Sequence, residues 1–237
     1  MTPLTLEWRI FDGPDALAAA LAAEAAARLR DQLRETGRGR LILSGGSTPR
    51  RMLAALAALP LDWAAVELWL ADERAVPADH PRSNLGALRA ALAGTPAAAA
   101  ARIDMSAPAG VQPEAVAAQI AVRLAAGPPS AALTVLGMGT DGHTASLFPG
   151  GDTLAAALRL HAPPAAVALR APGAPEPRVS LNRAALLDAG AVALHIEGAE
   201  KRAVLEAALQ AAAPPPVVEV LRGARAPLTV WWCPDPA

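Results

Sequence analysis

The sequence predicts a layered α/β fold with a mostly parallel central sheet flanked by helices. Three observations carry this. Short apolar runs alternate with Ala-rich, helix-forming stretches along the whole chain, the pattern of repeated strand–helix units. Two of those runs end in glycine-rich turns, Ser44-Gly45-Gly46-Ser47-Thr48-Pro49 and Gly137-Met138-Gly139-Thr140-Asp141-Gly142, as expected at the C-terminal edge of such a sheet. Of the 237 residues, 53% are hydrophobic and 18% charged, which is enough apolar surface to bury a core and excludes a disordered chain. Residues 1–237 read as a single α/β domain.

The elements follow in order. Residues 6–11 read as an edge strand, closed by the turn Asp12-Gly13-Pro14. Residues 15–34 form a long Ala-rich helix, and residues 40–43 a short strand. A helix to about Leu59 follows the first glycine loop, with Thr48 as N-cap and Pro49 at the first helical position. Residues 66–71 form the next strand, and Asp72-Glu73-Arg74 closes it and opens a loop. Residues 83–92 are helical, capped by Ser83 or Asn84, and residues 113–125 form another helix. The apolar run 131–136 is a buried strand feeding the second glycine loop, and His143 opens a short helix after it. A helix at 154–158, strands at 167–169, 178–181 and 191–196, a helix at 200–209 and a strand at 228–232 complete the chain. The proline-rich stretches at 127–129, 172–177 and 214–216 read as loops, and there is no internal repeat.

Bulk properties exclude several functions. With 21 basic and 22 acidic residues the formal net charge is -1, so nothing pulls the chain toward nucleic acid or anionic lipid. No stretch reads as a signal peptide or a membrane span. The single cysteine, Cys233, has no internal partner, which suits a reducing cytoplasm, and reads as a small buried hydrophobe. The expected assembly is a monomer or a weak homo-oligomer.

Two loops and a few scattered residues carry the chemistry. In the first glycine loop, amides and hydroxyls join the positive end of the following helix to form an anion cradle suited to phosphate. It lacks the Gly-Lys-Ser/Thr ending of a Walker A loop. The second loop formally matches Gly-x-Gly-x-x-Gly, but no acidic residue follows at the distance that would hold a ribose, which argues against a dinucleotide site. It runs into His143 instead. At a helix N-terminus that imidazole would stay neutral and ready to accept a proton, with Asp141 orienting the ring or binding substrate hydroxyls. Arg74 after its strand can stabilise an oxyanion or clamp an anion. Arg178 and Lys201 can reach an anion from later in the chain. Lys201 stands out because every other basic position is arginine, so a compact ammonium is needed there or the position is an exposed helix start. Arg50 and Arg51 are further candidates for phosphate contact. His80, His161 and His195 lack partners at metal-ligand spacing, read as structural or exposed, and no metal site is expected.

Together, in order and over nearly the whole chain, these segments resemble the 6-phosphogluconolactonase family. Its wider group includes glucosamine-6-phosphate deaminases on a modified Rossmann-like α/β fold. The blocks are Ser44 to Pro49, Asp72-Glu73-Arg74 with Ser83-Asn84, Gly137 to Pro149, Pro177 to Leu181, and Gly198 to Lys201. Arg74 stands where deaminases typically carry an aromatic. Thr144-Ala145-Ser146-Leu147-Phe148-Pro149 stands where they carry an ending with a catalytic glutamate. Pro214-Pro215-Pro216 departs from the family's usual Leu-Pro pair.

The resemblance implies hydrolysis of 6-phospho-D-glucono-1,5-lactone to 6-phospho-D-gluconate, in the pentose phosphate pathway and without a cofactor. His143 would be the general base on water, with Asp141 orienting it and Arg74 stabilising the carbonyl oxygen. Ser44, Gly45, Gly46, Ser47, Thr48, Asp72, Asn84, Gly139, Arg178 and Lys201 would bind the substrate and its phosphate. The rival readings are an amino-sugar-phosphate deaminase, a non-catalytic sugar-phosphate sensor and a dinucleotide-binding protein.

Overall fold

The computed structural model describes residues 4, 6–46, 48–127 and 130–235. Its first half runs β1 (Glu7–Ile10), α1 (Pro14–Thr36), β2 (Gly39–Leu43), α2 (Arg50–Ala57), β3 (Val66–Leu70), β4 (Asp72–Arg74), α3 (Asn84–Leu92), β5 (Ala101–Arg102) and α4 (Pro113–Ala125). The second half runs β6 (Leu133–Leu136), α5 (Leu154–Ala157), β7 (Ala166–Ala171), β8 (Ala174–Leu181), α6 (Arg183–Leu187), β9 (Val192–Glu197), α7 (Ala199–Gln210), α8 (Pro216–Leu221) and β10 (Leu228–Cys233).

Seven strands form the main sheet in the order β1-β10-β9-β6-β2-β3-β5, and every pairing in it is parallel. The expected edge strand, β1, does lie at one edge. The interior strand β2 is buried at all five positions, as a strand covered on both faces must be, and Leu41, Ile42 and Leu43 run apolar without alternation. Its one charged residue, Arg40, is fully buried with its guanidinium 4.4 Å from the Trp69 ring centroid, and burial draws its pKa down. The helix α1 packs on β2 and β10, and α7 packs on β9. Leu17, Leu21, Ala25 and Leu29 on α1 are completely buried, each leucine contributing about 1.5–3 kcal/mol. They fall four residues apart, on one face of a 3.6-residue helix.

The chain order creates a switch point. From β2 the chain moves through β3 to β5 on one side, then crosses to β6 on the other. The loops after β2 and β6 therefore diverge around a crevice at the C-terminal ends of those strands. These are the two glycine-rich loops.

A second, smaller sheet was not anticipated. Its order is β4-β8-β7, and both pairings are antiparallel. The Asp72–Arg74 triplet is thus a strand of its own rather than the start of a loop. Ala71 joins the two sheets: its amide donates to Leu43 O at 2.8 Å, and its carbonyl accepts from Leu181 N at 2.9 Å. Pro175 and Pro177 lie within β8, so residues 172–177 are mostly hairpin rather than loop. A proline run conceals a strand here because β8 pairs with β7 only at Ala174 and again from Arg178 onward, leaving the prolines where no ladder amide is needed. Of the other expected loops, 214–216 instead ends by opening α8, with Pro216 in its first turn, a position that needs no amide donor. Pro128 and Pro129 lie outside the described residues.

Of the two expected caps, one differs and one is found. Pro49, with φ -78° and ψ -2°, occupies the cap position of α2, and no side chain caps it. Thr48 therefore is not the N-cap. On α3 the cap is Ser83, whose Oγ accepts from Gly86 N at 3.0 Å. No described helix is long and apolar enough to cross a membrane.

Candidate active site

A cavity of about 400 Å³ opens at the switch point, between the C-terminal ends of the parallel strands and the small sheet. Its walls include Ser44, Gly45, Gly46 and Thr48 from the first loop, Gly137, Gly139 and His143 from the second, and Asp72, Arg74, Asn84, Arg178 and Lys201. Eleven of the thirteen site residues expected from sequence thus converge, from all five of the blocks that carry the resemblance. Of the remaining two, Ser47 lies outside the described residues and Asp141 stands behind His143 rather than on the wall.

The second glycine loop makes the His143–Asp141 pair. Gly142, at φ +77°, takes a left-handed conformation that a side chain resists, and its amide donates to Gly139 O at 3.0 Å. That turn brings Asp141 Oδ1 to 2.5 Å from His143 Nδ1 and 3.1 Å from the His143 amide. A carboxylate on Nδ1 holds the proton there and leaves Nε2 for the cavity. Gly139 is needed for close approach. A Cβ on it would fall 2.2 Å from His143 Cε1 and 2.6 Å from Asp141 Oδ1. His143 does not open a helix: residues 141–150 form turns and isolated bridges. The expected helix-terminus effect is absent, and the neighbouring carboxylate takes over the orientation of the ring. Phe148 lies against it, its ring tilted by 34° and the ring centroids 4.2 Å apart.

The first loop is stitched to the second. Ser44 Oγ accepts from Gly137 N at 3.1 Å, and Thr144 Oγ1 donates to Gly137 O at 2.8 Å. Gly45 presses on Asn84, where a Cβ would fall 2.2 Å from the side chain. Asn84 in turn donates through Nδ2 to Asp72 O at 2.9 Å.

Glu73 was not singled out from sequence, yet it organises this wall. Its carboxylate, completely buried, accepts from Arg74 N, Asn84 N and Leu85 N, each at 2.7 Å, and from Ser83 Oγ at 3.0 Å. Burial nevertheless pushes its pKa up, against those hydrogen bonds. The sequence signal was available: an acid before a Ser-Asn helix start. Behind the same segment Ser146 Oγ, fully buried, donates to Asp72 Oδ2 at 2.5 Å, and Ala145 beside it holds φ +50°.

The cavity is cationic. Arg74 donates to Arg82 O at 2.5 Å, and Arg82 pairs with Glu176 at 3.0 Å. Arg178 lies 5.4 Å from the Phe148 ring centroid, and burial draws its pKa down. Arg82 is a wall residue that sequence reasoning missed. Lys201 sits in the first turn of α7. Arg50 and Arg51 do not line the cavity. Arg50 lines a neighbouring one, and Arg51 pairs with Asp15 at 3.1 Å. His195, expected to be structural or exposed, is buried in the cavity wall. Among the described residues, no cluster of three His, Cys, Asp or Glu could hold a metal ion.

Residues 12–231 match the family model described as glucosamine-6-phosphate isomerases/6-phosphogluconolactonase. The chain is 40% identical to the 6-phosphogluconolactonase of Mesorhizobium japonicum, covering 96% of this chain and 95% of that one. It is equally 40% identical to the 6-phosphogluconolactonase of Rhizobium meliloti, covering 98% and 100%. Among solved structures, the crystal structure of a 6-phosphogluconolactonase from Shewanella baltica superposes with a TM-score of 0.91 at 33% identity, covering 98% of this chain and 99% of that one.

Proposed function

The chain belongs to the glucosamine-6-phosphate isomerase/6-phosphogluconolactonase family, and we propose that it hydrolyses 6-phospho-D-glucono-1,5-lactone to 6-phospho-D-gluconate, the lactonase step of the pentose phosphate pathway. The observation that carries this reading is the His143–Asp141 pair at 2.5 Å, set on the wall of a cavity that also holds Arg74, Arg178 and Lys201. A base and an anion-binding surface share one space of sugar-phosphate size.

In this mechanism the phosphate docks among the glycine loop after β2, Arg178 and Lys201, which fixes the lactone carbonyl relative to His143. Asp72, Asn84 and Gly139 contact the sugar. His143 Nε2 takes a proton from water, and the hydroxide oxygen bonds to the carbonyl carbon. Asp141 stabilises the resulting imidazolium. Arg74 faces the negative oxygen, a role typically worth about 3–4 kcal/mol. Collapse of the intermediate breaks the bond to the ring oxygen, which receives the proton back from His143. The new carboxylic acid ionises, releasing one proton to solution. The reading takes the chain as one domain, supported by the family match over residues 12–231 and by Ala71 bonding into both sheets. It places the protein in the cytoplasm, where a lone buried thiol stays reduced.

The test supplies freshly prepared lactone and follows acid release at neutral pH above the spontaneous rate. The protein is expected to accelerate release, and His143→Ala to lose about 10²–10⁴-fold. No acceleration by the parent protein overturns the function. Undiminished hydrolysis by His143→Ala overturns the base assignment.

A further inference from the structure

Among the described residues, four cationic side chains, Arg74, Arg82, Arg178 and Lys201, line the cavity beside one carboxylate, Asp72. Glu176 does not line it but backs two of those cations. Its Oε2 lies 3.0 Å from Arg82 Nη2 and 4.0 Å from Arg178 Nη2. Its backbone carbonyl accepts from Arg178 Nε at 3.2 Å. Oε2 is buried and meets no aligned hydrogen-bond donor among the described residues, so the charge of the two guanidiniums compensates its burial. The contact extends further through Arg82, whose carbonyl accepts from Arg74 Nη1.

The backbone at Glu176 is equally constrained. Pro175 and Pro177 flank it in β8. Proline fixes its own φ, and a residue that precedes proline is confined to extended conformations. Pro177 O also accepts from Ala75 N at 2.9 Å, which ties the segment to the residue after β4. The stretch whose prolines read as a loop in the sequence is a rigid bracket for one acid.

That acid matters because the reaction adds charge. The lactone end of the substrate is neutral, whereas the product carries a carboxylate facing Arg74, with Arg82 beside it. A wall of four cations would hold such a product more tightly than the substrate. Asp72 also acts on Arg178, but its Oδ2 already accepts from Ser146 Oγ. Glu176 is the carboxylate that pairs with both Arg82 and Arg178. Resting on the lactonase reading above, we propose that Glu176 is a positioning residue for product release: by occupying Arg82 it leaves the new carboxylate less positive charge to bind. It thereby weights the cavity toward the lactone and against the hydrolysed acid.

Isothermal titration tests this with two ligands, 6-phospho-D-gluconate and D-glucose 6-phosphate, which has the phosphate but no carboxylate. Each is titrated into the parent protein, Glu176→Gln, Arg82→Gln and the double variant. Glu176→Gln is expected to bind 6-phospho-D-gluconate about tenfold more tightly and D-glucose 6-phosphate by under about threefold. In turnover its product-inhibition constant should fall by the same factor of about ten. Damage to the wall alone would weaken both ligands instead. In the Arg82→Gln background the gain in product affinity should shrink to under about threefold, because the charge acts through Arg82. Product affinity that is unchanged or lower in Glu176→Gln overturns the inference. So does an equal gain for both ligands, or an undiminished gain without Arg82. Arg82→Gln by itself, at a half-exposed side chain, should bind the product about tenfold more weakly. Unchanged product affinity there overturns the inference whether or not Glu176→Gln folds. A parent that binds no product and leaves the lactone untouched overturns the lactonase reading as well. A parent that hydrolyses the lactone, beside a Glu176→Gln variant without tighter product binding, overturns this inference alone.

Discussion

His143 receives its orientation from a residue two positions away. Asp141 reaches both its ring and its amide only because Gly139 and Gly142 let the loop fold back. Two expectations follow at this scale. In the proposed mechanism Asp141→Asn removes the carboxylate that supports His143, so kcat for lactone hydrolysis should fall by about 10–100-fold, the range for one charge-assisted hydrogen bond. Stopped-flow acid release at neutral pH reads this, and an unchanged kcat would remove Asp141 from the mechanism. Gly139→Ala places a methyl where His143 and Asp141 now lie. The pair must move by roughly an ångström, which should cost about 10²-fold in rate with little change in far-UV circular dichroism. The Asp-x-His spacing was legible in the sequence because both partners are local. The orientation of His143 was misread there, since a helix start was expected and a turn was found.

At the scale of elements, the wall formed by β4 and α3 depends on one buried carboxylate. Glu73 accepts from the amides of both elements and from the Ser83 hydroxyl. Glu73→Ala strands those donors and should destabilise the protein by about 2–4 kcal/mol, measured by urea unfolding. A loss under 1 kcal/mol would mean that water replaces the carboxylate at roughly no net cost. The long helices and the apolar strands were legible because periodicity and composition are local signals. The small sheet was not. β4 is three residues long, and β8 contains Pro175 and Pro177, so neither carries a strand pattern without its partner. The same reason hid Glu73 and Arg82, whose roles appear only when β4, α3 and β8 come together.

At the scale of the whole molecule, the cavity is shared between two sheets that meet at Ala71. A ligand there should stabilise both at once. At about one hundred times its Kd, 6-phospho-D-gluconate should add about 2.7 kcal/mol, seen as a rise in the thermal midpoint that gluconate without phosphate does not reproduce at equal concentration. Cys233, on β10 and completely buried, reports on the global fold instead. Burial pushes its thiol up to about 11. Because the folded value lies above the unfolded one, the proton-linked stability is complete below the ordinary thiol range and is lost as pH rises through about 11. At mildly alkaline pH, iodoacetamide should therefore label Cys233 only after unfolding, as followed by mass spectrometry. Rapid labelling of the native protein would contradict that burial.

The sequence by itself determined the parallel sheet, the two glycine loops and the local Asp141–His143 partnership, because each is written in neighbouring residues through periodicity, turn chemistry and short spacing. Only the tertiary structure decided which distant groups share the cavity. It drew Arg82 and His195 to the wall, left Arg50 and Arg51 off it, and set Glu73 beneath it. Strand order and the second sheet make those choices, and both arise from pairings between residues far apart in the chain that no local pattern encodes.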